Sequence, residues 1–400
     1  ILMVLGSIVM GLDAKQFFFY GICLIIVGTG FFKPNISTMV GELYREGDPR
    51  RDAGFSLFYA GINIGALLGG GLCVYVGKTY SWNIAFLLSG VFMALGLLNF
   101  ILTRKLLGPI GISPTTESPA KDRRNRWFVY AGTLAVLPLI YIMIRKTEYT
   151  DLFMYIIGPV TLVYIIYEMT KLDKAQIKKM VAAIIFILLS IIFWSFFEQS
   201  GGSLSLFARD LVSSKMLGME IDSNVVNNSA NSFFVICFSA LIGLLWVWLN
   251  KRKLEPNYFA KFGLAFLFLS LSFYLFYAMR FWLDSDGLAS LGLFTLAYLV
   301  ISIGELFLSP IGLSLMTKLS PKHLWGIMMG MWFLASAYGQ YVAGILGAGM
   351  SSPDEKAPLS VRLDGYTNGY LQLSIYALIT GVVIILVARW LNRLMQEDSK

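Results

Sequence analysis

Charge is scarce in this sequence. Only 14% of its 400 residues are Asp, Glu, Lys or Arg, against about 25% in ordinary soluble domains. Hydrophobic residues make up 57%, and the mean hydropathy is +0.69. No stretch is long and polar enough to form a soluble domain. The net charge of +8 therefore has no soluble surface on which to meet nucleic acid, and no nucleic-acid partner is expected. Histidine is reduced to His323, which follows Pro321 and Lys322 in a short polar loop. A metalloprotease helix of the HExxH kind needs two histidines. No metal site, cofactor or catalytic cluster is expected, and the chain does not read as an enzyme. The three cysteines, Cys23, Cys73 and Cys237, all sit in apolar runs, as small hydrophobes rather than a disulfide framework. There is no signal peptide and no starting methionine. Ile1 already stands inside an apolar run, so residues upstream of it are expected.

Long apolar runs fill the space that charge leaves. One partial run covers 1–12, and eleven longer ones lie at about 16–44, 54–77, 83–104, 127–145, 152–170, 180–208, 225–250, 259–280, 289–316, 325–349 and 367–396. Each of the eleven reaches roughly the 20 residues that a hydrocarbon core of about 30 Å requires. The sequence is therefore that of an all-α polytopic membrane protein. Alternate loops differ in charge. Those on one side, with Arg50 and Arg51, Arg123 to Arg126, Lys174 to Lys179 and Lys251 to Lys253, hold more than twice the Lys and Arg of the other side. That side is cytoplasmic by the positive-inside rule, and the C-terminus falls on it. The clearest boundary is the linker with Gly108-Pro109, Ser113-Pro114 and Ser118-Pro119. The expected division is a first bundle at 1–104, a cytoplasmic linker with an inserted helix pair at 105–179, and a second bundle at 180–400.

Polar residues at membrane depth point to the site. Lys33 stands near the middle of its span, where a charge costs roughly 2.5–3.5 kcal/mol to insert and is kept for function or with a partner. Pro34 follows it and cannot donate to the carbonyl of Gly30. Asn63 lies near mid-depth in the next span. In the second half, Glu198 comes four residues after Trp194, and Ser309 four after Glu305, so each pair shares a helix face. Asn231 and Trp332 complete the set. Each has a plainer alternative. The tryptophans are packing residues, Asn231 a helix cap, Asn63 a bond between helices, Glu198 an ion-pair partner, and Lys33 with Glu305 a static salt bridge. With one looped histidine, any proton switch in this stretch falls to a carboxylate.

These strings resemble the proton-dependent oligopeptide transporter family of the major facilitator superfamily. Residues 28–37 (GTGFFKPNIS) and 54–68 are similar to its signature helices, and 194–203, 304–319 and 328–336 to later motifs. The resemblance runs the length of the chain. It implies two six-helix bundles with an inserted two-helix hairpin at 127–170. It also implies that the first two helices and most of the third are missing here, and with them the first helix's acidic and arginine-bearing motif. By position, Lys33 resembles the lysine that meets a peptide's carboxylate. Asn63, Asn231 and Glu305 resemble the group that holds its amino end. Trp194, Ser309 and Trp332 resemble side-chain pocket and cavity-wall positions. Glu198 resembles the acid that pairs with the first-helix arginine. Phe197 stands where some relatives carry a second acid, and Ser232 replaces a proline.

The resemblance implies a monomeric symporter of the inner membrane, importing dipeptides and tripeptides with protons by alternating access. Independently of it, a zwitterion needs one cation and one anion, which Lys33 and Glu305 supply. The first rival is a relative carrying another solute such as nitrate, which gives Glu305 nothing to bind. The second, of another class, is a proton-conducting subunit of a membrane complex, which does not need a tryptophan- and asparagine-lined cavity. The hairpin at 127–170 carries only hydroxyl groups at mid-depth and reads as scaffold. A chain in which the linker is joined directly to Lys178 is expected to keep peptide uptake in proteoliposomes. A well-folded but inactive deletion overturns that expectation.

Overall fold

The computed structural model describes residues 1–45, 48, 50–112, 118–216, 218–350 and 357–395. Ser113 and Pro114 of the linker, with Lys356 and Lys400, lie outside the described residues. Among the described residues the named elements are helices apart from one small ribbon, in which Lys215–Met216 pairs antiparallel with Met219–Glu220. In chain order the helices are α1 (Leu2–Leu12), α2 (Ala14–Glu42), α3 (Arg51–Thr79), α4 (Trp82–Thr103), α5 (Pro119–Arg145), α6 (Thr147–Met169), α7 (Lys174–Phe197), α8 (Ser203–Leu211), α9 (Ser223–Lys251), α10 (Tyr258–Ala278), α11 (Leu291–Leu319), α12 (Trp325–Met350) and α13 (Leu359–Asn392). Ten helices among the described residues are long and apolar enough to cross a membrane. This is a multi-pass membrane protein. A helix of 29 residues such as α11 is about 43 Å long at roughly 1.5 Å per residue, more than the bilayer core requires.

Side chains at the loop ends start the helices where the sequence places polar residues. Asp13 accepts from the amides of Lys15 and Gln16, at 2.9 and 3.2 Å. Asp173 accepts from Gln176 at 2.8 Å, Asp222 from Asn224 at 2.8 Å and Asn257 from Ala260 at 2.9 Å. These are backbone donors that the helix itself leaves unmet. In α2, which runs through Pro34, hydroxyls bond back one turn: Ser37 to the carbonyl of Lys33 and Thr38 to that of Pro34, both at 2.9 Å. The run expected over 180–208 is broken. α7 stops at Phe197, Glu198–Gly201 forms a 3-10 turn, and α8 begins at Ser203.

The chain forms two compact units. One contains residues 1–43 and 68–168, the other 44–67 and 169–400. In the first, α1 packs on α2 and α4, and α5 on α2. No residue of α5 is buried; Trp127, Phe128 and Tyr130 stand exposed on it, as on a lipid-facing helix. In the second unit, α10 packs on α11 and α13, α7 on α12, and α9 on α11. The α10–α13 crossing is close because Gly263 and Gly381 meet. A Cβ on Gly381 falls 3.0 Å from the carbonyl oxygen of Gly263, so small residues set the helix separation. Phe186, Phe193, Phe262, Phe266, Phe273 and Phe276 fill the core around α10. None of the three cysteines is paired. Cys23 is buried and Cys237 exposed.

A charged network ties the start of α3 into the second unit. Lys261 on α10 is fully buried. Its ammonium pairs with Glu255, lies 3.8 Å from Asp52 on α3, and sits 4.4 Å from the centroid of the Trp246 ring. Asp52 also accepts from the hydroxyl of Ser314 on α11 at 2.7 Å, and Arg51 donates to Thr317. Breaking a buried pair from one side costs about 3–5 kcal/mol, because the partner is left charged and alone. Lys261→Met is therefore expected to lower the melting temperature of the detergent-purified protein sharply. Adding Asp52→Asn and Glu255→Gln recovers most of the loss. Thermal unfolding of the single and triple variants checks this, and a triple variant less stable than the single one refutes it.

Candidate functional site

The site in the second unit is organised around one carboxylate. Glu305 lies at the middle of α11 and is 3% exposed, so its charge has no water to meet. Two other helices answer it. From α3, the hydroxyl of Tyr59 donates to Oε1. From α9, Nδ2 of Asn231 donates to Oε2 at 2.6 Å and reaches Oγ of Ser302 at 3.1 Å. Ser302 in turn donates to the carbonyl of Tyr298 at 2.7 Å. Both carboxylate oxygens thus accept, and three helices converge on one side chain. Charge-assisted bonds of this kind are about twice as strong as neutral ones.

Ser309 is one helical turn beyond Glu305. Its hydroxyl is buried and has no hydrogen-bond partner among the described residues. Asn63 is one turn beyond Tyr59 on α3, buried, with Nδ2 donating to the carbonyl of Tyr59 at 3.0 Å. Asn231 does not cap α9; Asp222 does, and the Asn231 amide is spent on Glu305.

The two tryptophans are wedged between helices. A Cβ on Gly339 of α12 falls 2.2 Å from Cβ of Trp194, and one on Gly312 of α11 falls 1.9 Å from the ring of Trp332. Glycine is required at both positions. Trp194 also meets Phe197 edge-on at 5.0 Å, and its indole N–H is buried without a partner among the described residues. Glu198 is the C-cap of α7, with its amide donating to the carbonyl of Trp194 one turn back, and its carboxylate accepts from Nε2 of Gln340 at 3.2 Å. Lys33 belongs to the first unit, with its side chain exposed on α2. His323 is exposed on a 3-10 turn between α11 and α12.

Of the sequence candidates, the fold therefore joins Asn231 directly to Glu305 and places Asn63 and Ser309 one turn away along the contributing helices. Tyr59 escaped sequence analysis. The signal was present: it precedes Asn63 by one turn, so the two share a face of α3. A tyrosine in an apolar run reads as packing until its hydroxyl has a partner. Asn227 was missed likewise. It accepts from the Tyr298 hydroxyl at 2.6 Å and donates to the carbonyl of Ser200 at 2.9 Å.

Comparison with known proteins gives the family. The sequence profile of the POT family matches residues 1–363. The chain belongs to the POT family. Among family members, a peptide transporter of Yersinia enterocolitica subsp. palearctica is 32% identical across 100% of this chain and 80% of its own length. Dipeptide and tripeptide permease B of Aeromonas hydrophila is 30% identical across 99% of this chain and 81% of its own. The crystal structure of a peptide transporter POT in complex with sulfate superposes with a TM-score of 0.72 at 29% identity, covering 99% of this chain and 80% of that one. A POT family transporter in complex with 5-aminolevulinic acid gives 0.72 at 27% identity, over 98% and 80%. The architecture is thus that of the major facilitator transporters, as the sequence resemblance implies.

The Tyr59–Glu305 bond crosses between helices, and removing its donor is expected to cost about 1–2 kcal/mol. Tyr59→Phe and Glu305→Gln should each lower thermal stability, and the double variant should lose less than their sum. Strict additivity in the double-mutant cycle would refute a direct bond.

Proposed function

We propose that this chain is a proton-coupled symporter that imports dipeptides and tripeptides by alternating access. The observation that carries the reading is Glu305, a buried carboxylate whose present donors, Tyr59 and Asn231, are neutral. A peptide's ammonium is a stronger donor than either, and it can replace them without leaving the acid unpaired. Relatives named as peptide transporters and as dipeptide and tripeptide permeases support the substrate class. So does the neighbour holding 5-aminolevulinic acid, which also carries an ammonium and a carboxylate.

In this reading Glu305, Asn231 and Asn63 hold the amino end of the peptide, and Lys33 takes its carboxylate. Trp194, Ser309 and Trp332 bound the space for side chains. Ser309, with its unmet hydroxyl, is suited to a bound polar group. Glu198, Lys33 and Glu305 serve proton coupling and gating. Protonating Glu305 removes the charge that the ammonium seeks, which links release of the substrate to arrival of a proton at Glu305. No group assembled as a nucleophile with a base is needed, and the protein is no enzyme in this reading. It works as a monomer in the inner membrane, with its C-terminus cytoplasmic. It is built as two bundles, 1–104 and 180–400, around a linker and hairpin at 105–179. A bare anion such as nitrate, or proton conduction alone, leaves the Tyr59–Glu305–Asn231 cluster without a task.

The test is uptake by the purified protein in liposomes with an inward proton gradient. Alanyl-alanine accumulates, and its N-acetylated form does not compete. Glu305→Gln is expected to abolish concentrative uptake and to erase discrimination against the blocked amine. Glu198→Gln is expected to stop gradient-driven uptake while keeping exchange between equal pools. Retention of amine selectivity in Glu305→Gln overturns the assignment of the ammonium site.

A further inference from the structure

Helix α9 carries an exposed apolar stripe, Phe233, Leu241, Leu244 and Trp248, at helical spacing. The stripe ends in a Schellman turn. The amide of Lys253 donates to the carbonyl of Asn250 at 2.9 Å, and that of Leu254 to the carbonyl of Leu249 at 3.0 Å. The residue that closes such a turn takes the left-handed conformation and is ordinarily glycine. Here it is Lys253, at φ 58°, the one non-glycine with positive φ among the described residues. A side chain strains the backbone at that position. The helix dipole does not call for it, since Lys251 already stands in the last turn. Three consecutive cations, Lys251, Arg252 and Lys253, are thus kept at the end of the stripe, all exposed. Glu255, the acid nearest them in sequence, is spent on Lys261 and on Nδ2 of Asn250 at 2.7 Å.

The middle cation is held in place. The Arg252 guanidinium lies 4.2 Å from the centroid of the exposed Trp248 ring, a stack that leaves the donor edge of the fork open. That edge matches a phosphate with two parallel bonds. A tryptophan at the end of a membrane-crossing helix sits at headgroup level, and cations just beyond such a helix attract anionic headgroups. The apolar stripe before them matches an acyl chain. We propose that this end of α9 is a binding site for an anionic phospholipid. Arg252 and Lys253 hold its phosphate, and an acyl chain lies along Leu244 and Leu241. A zwitterionic lipid brings its own ammonium against the three cations, so the site discriminates against it. The site is independent of the solute that the protein carries.

The experiment adds phosphatidylglycerol or phosphatidylcholine of equal chain length to the detergent-purified protein and counts bound lipid by native mass spectrometry. The wild type should bind phosphatidylglycerol about tenfold more tightly than phosphatidylcholine. Lys253→Gly should lower that affinity about fivefold. It should also melt no lower than the wild type in lipid-free detergent, because glycine takes the left-handed conformation without strain. Arg252→Gln, which leaves the turn unaltered, should cost about fivefold by itself. Lys105→Gln, at an exposed cation of another loop, should change nothing. Glycerol phosphate, with the headgroup chemistry and no acyl chain, should not displace the lipid at equal concentration. Equal binding of the two lipids by the wild type overturns the site, as does undiminished phosphatidylglycerol binding in both Lys253→Gly and Arg252→Gln. An equal loss in Lys105→Gln reduces the effect to diffuse loop charge and also overturns it. Displacement by glycerol phosphate overturns the lipid as occupant.

Discussion

A charge buried in a protein surrounded by hydrocarbon must be answered from within the protein, and that constraint organises the second unit. Glu305 cannot draw on water, and the bilayer supplies no donors. Its two oxygens are met from α3 and α9, which draws three helices onto one side chain. The same demand appears where α3 begins, where the fully buried Lys261 gathers Glu255, Asp52 and the ring of Trp246. Helices α3 and α11 are thus joined at two levels, by Tyr59–Glu305 at mid-span and by Arg51–Thr317 and Asp52–Ser314 near the end. Apolar contact alone gives helices in a membrane little reason to choose one register, since lipid tails are as apolar as leucine. These polar bonds supply the choice.

The contrast with α5 and α6 makes the point from the other side. That hairpin buries no charge and, in α5, no residue at all. It docks through aromatic contacts such as the stacked Tyr20 and Tyr141 rings, 5.2 Å apart, and through Arg145 over Phe19. Dispersion between stacked rings and a cation over a ring hold these contacts.

Much of this was legible in the residues. Long apolar runs announced the helices, and Glu305 and Asn231 stood out because polar groups at depth are costly. The family resemblance grouped them, but spacing alone could not give their direct bond, which joins residues 74 positions apart. Tyr59 was hidden because an aromatic ring is unremarkable in an apolar helix. Lys261 was hidden because it lies at the start of α10 and reads as loop charge until its burial is known. The end of α7 at Phe197 was obscured because apolar residues resume at Leu204, just after the polar break. Trp194 and Trp332 looked like pocket walls, and the glycines opposite them, Gly339 and Gly312, show how tightly each is also packed.

Helix α3 is continuous from Arg51 to Thr79, yet its first half belongs to one compact unit and its second half to the other. The chain crosses between the units only three times. Two crossings, after Leu43 and after Glu168, fall at helix ends, while the third, after Leu67, falls inside a helix. Around it stand Gly61, Gly65, Gly69, Gly70 and Gly71, none with an atom of another part of the described chain within 4 Å of the place a Cβ would occupy. Each glycine weakens a helix by about 1 kcal/mol relative to alanine, and among the described residues no packing at these Cβ positions makes up the difference. The segment is therefore the most compliant part of an otherwise stiff rod. The anchored half of α3, pinned by Tyr59 and Asp52, can keep its bonds while the glycine run flexes. That give is built into the backbone of a helix rather than into a loop.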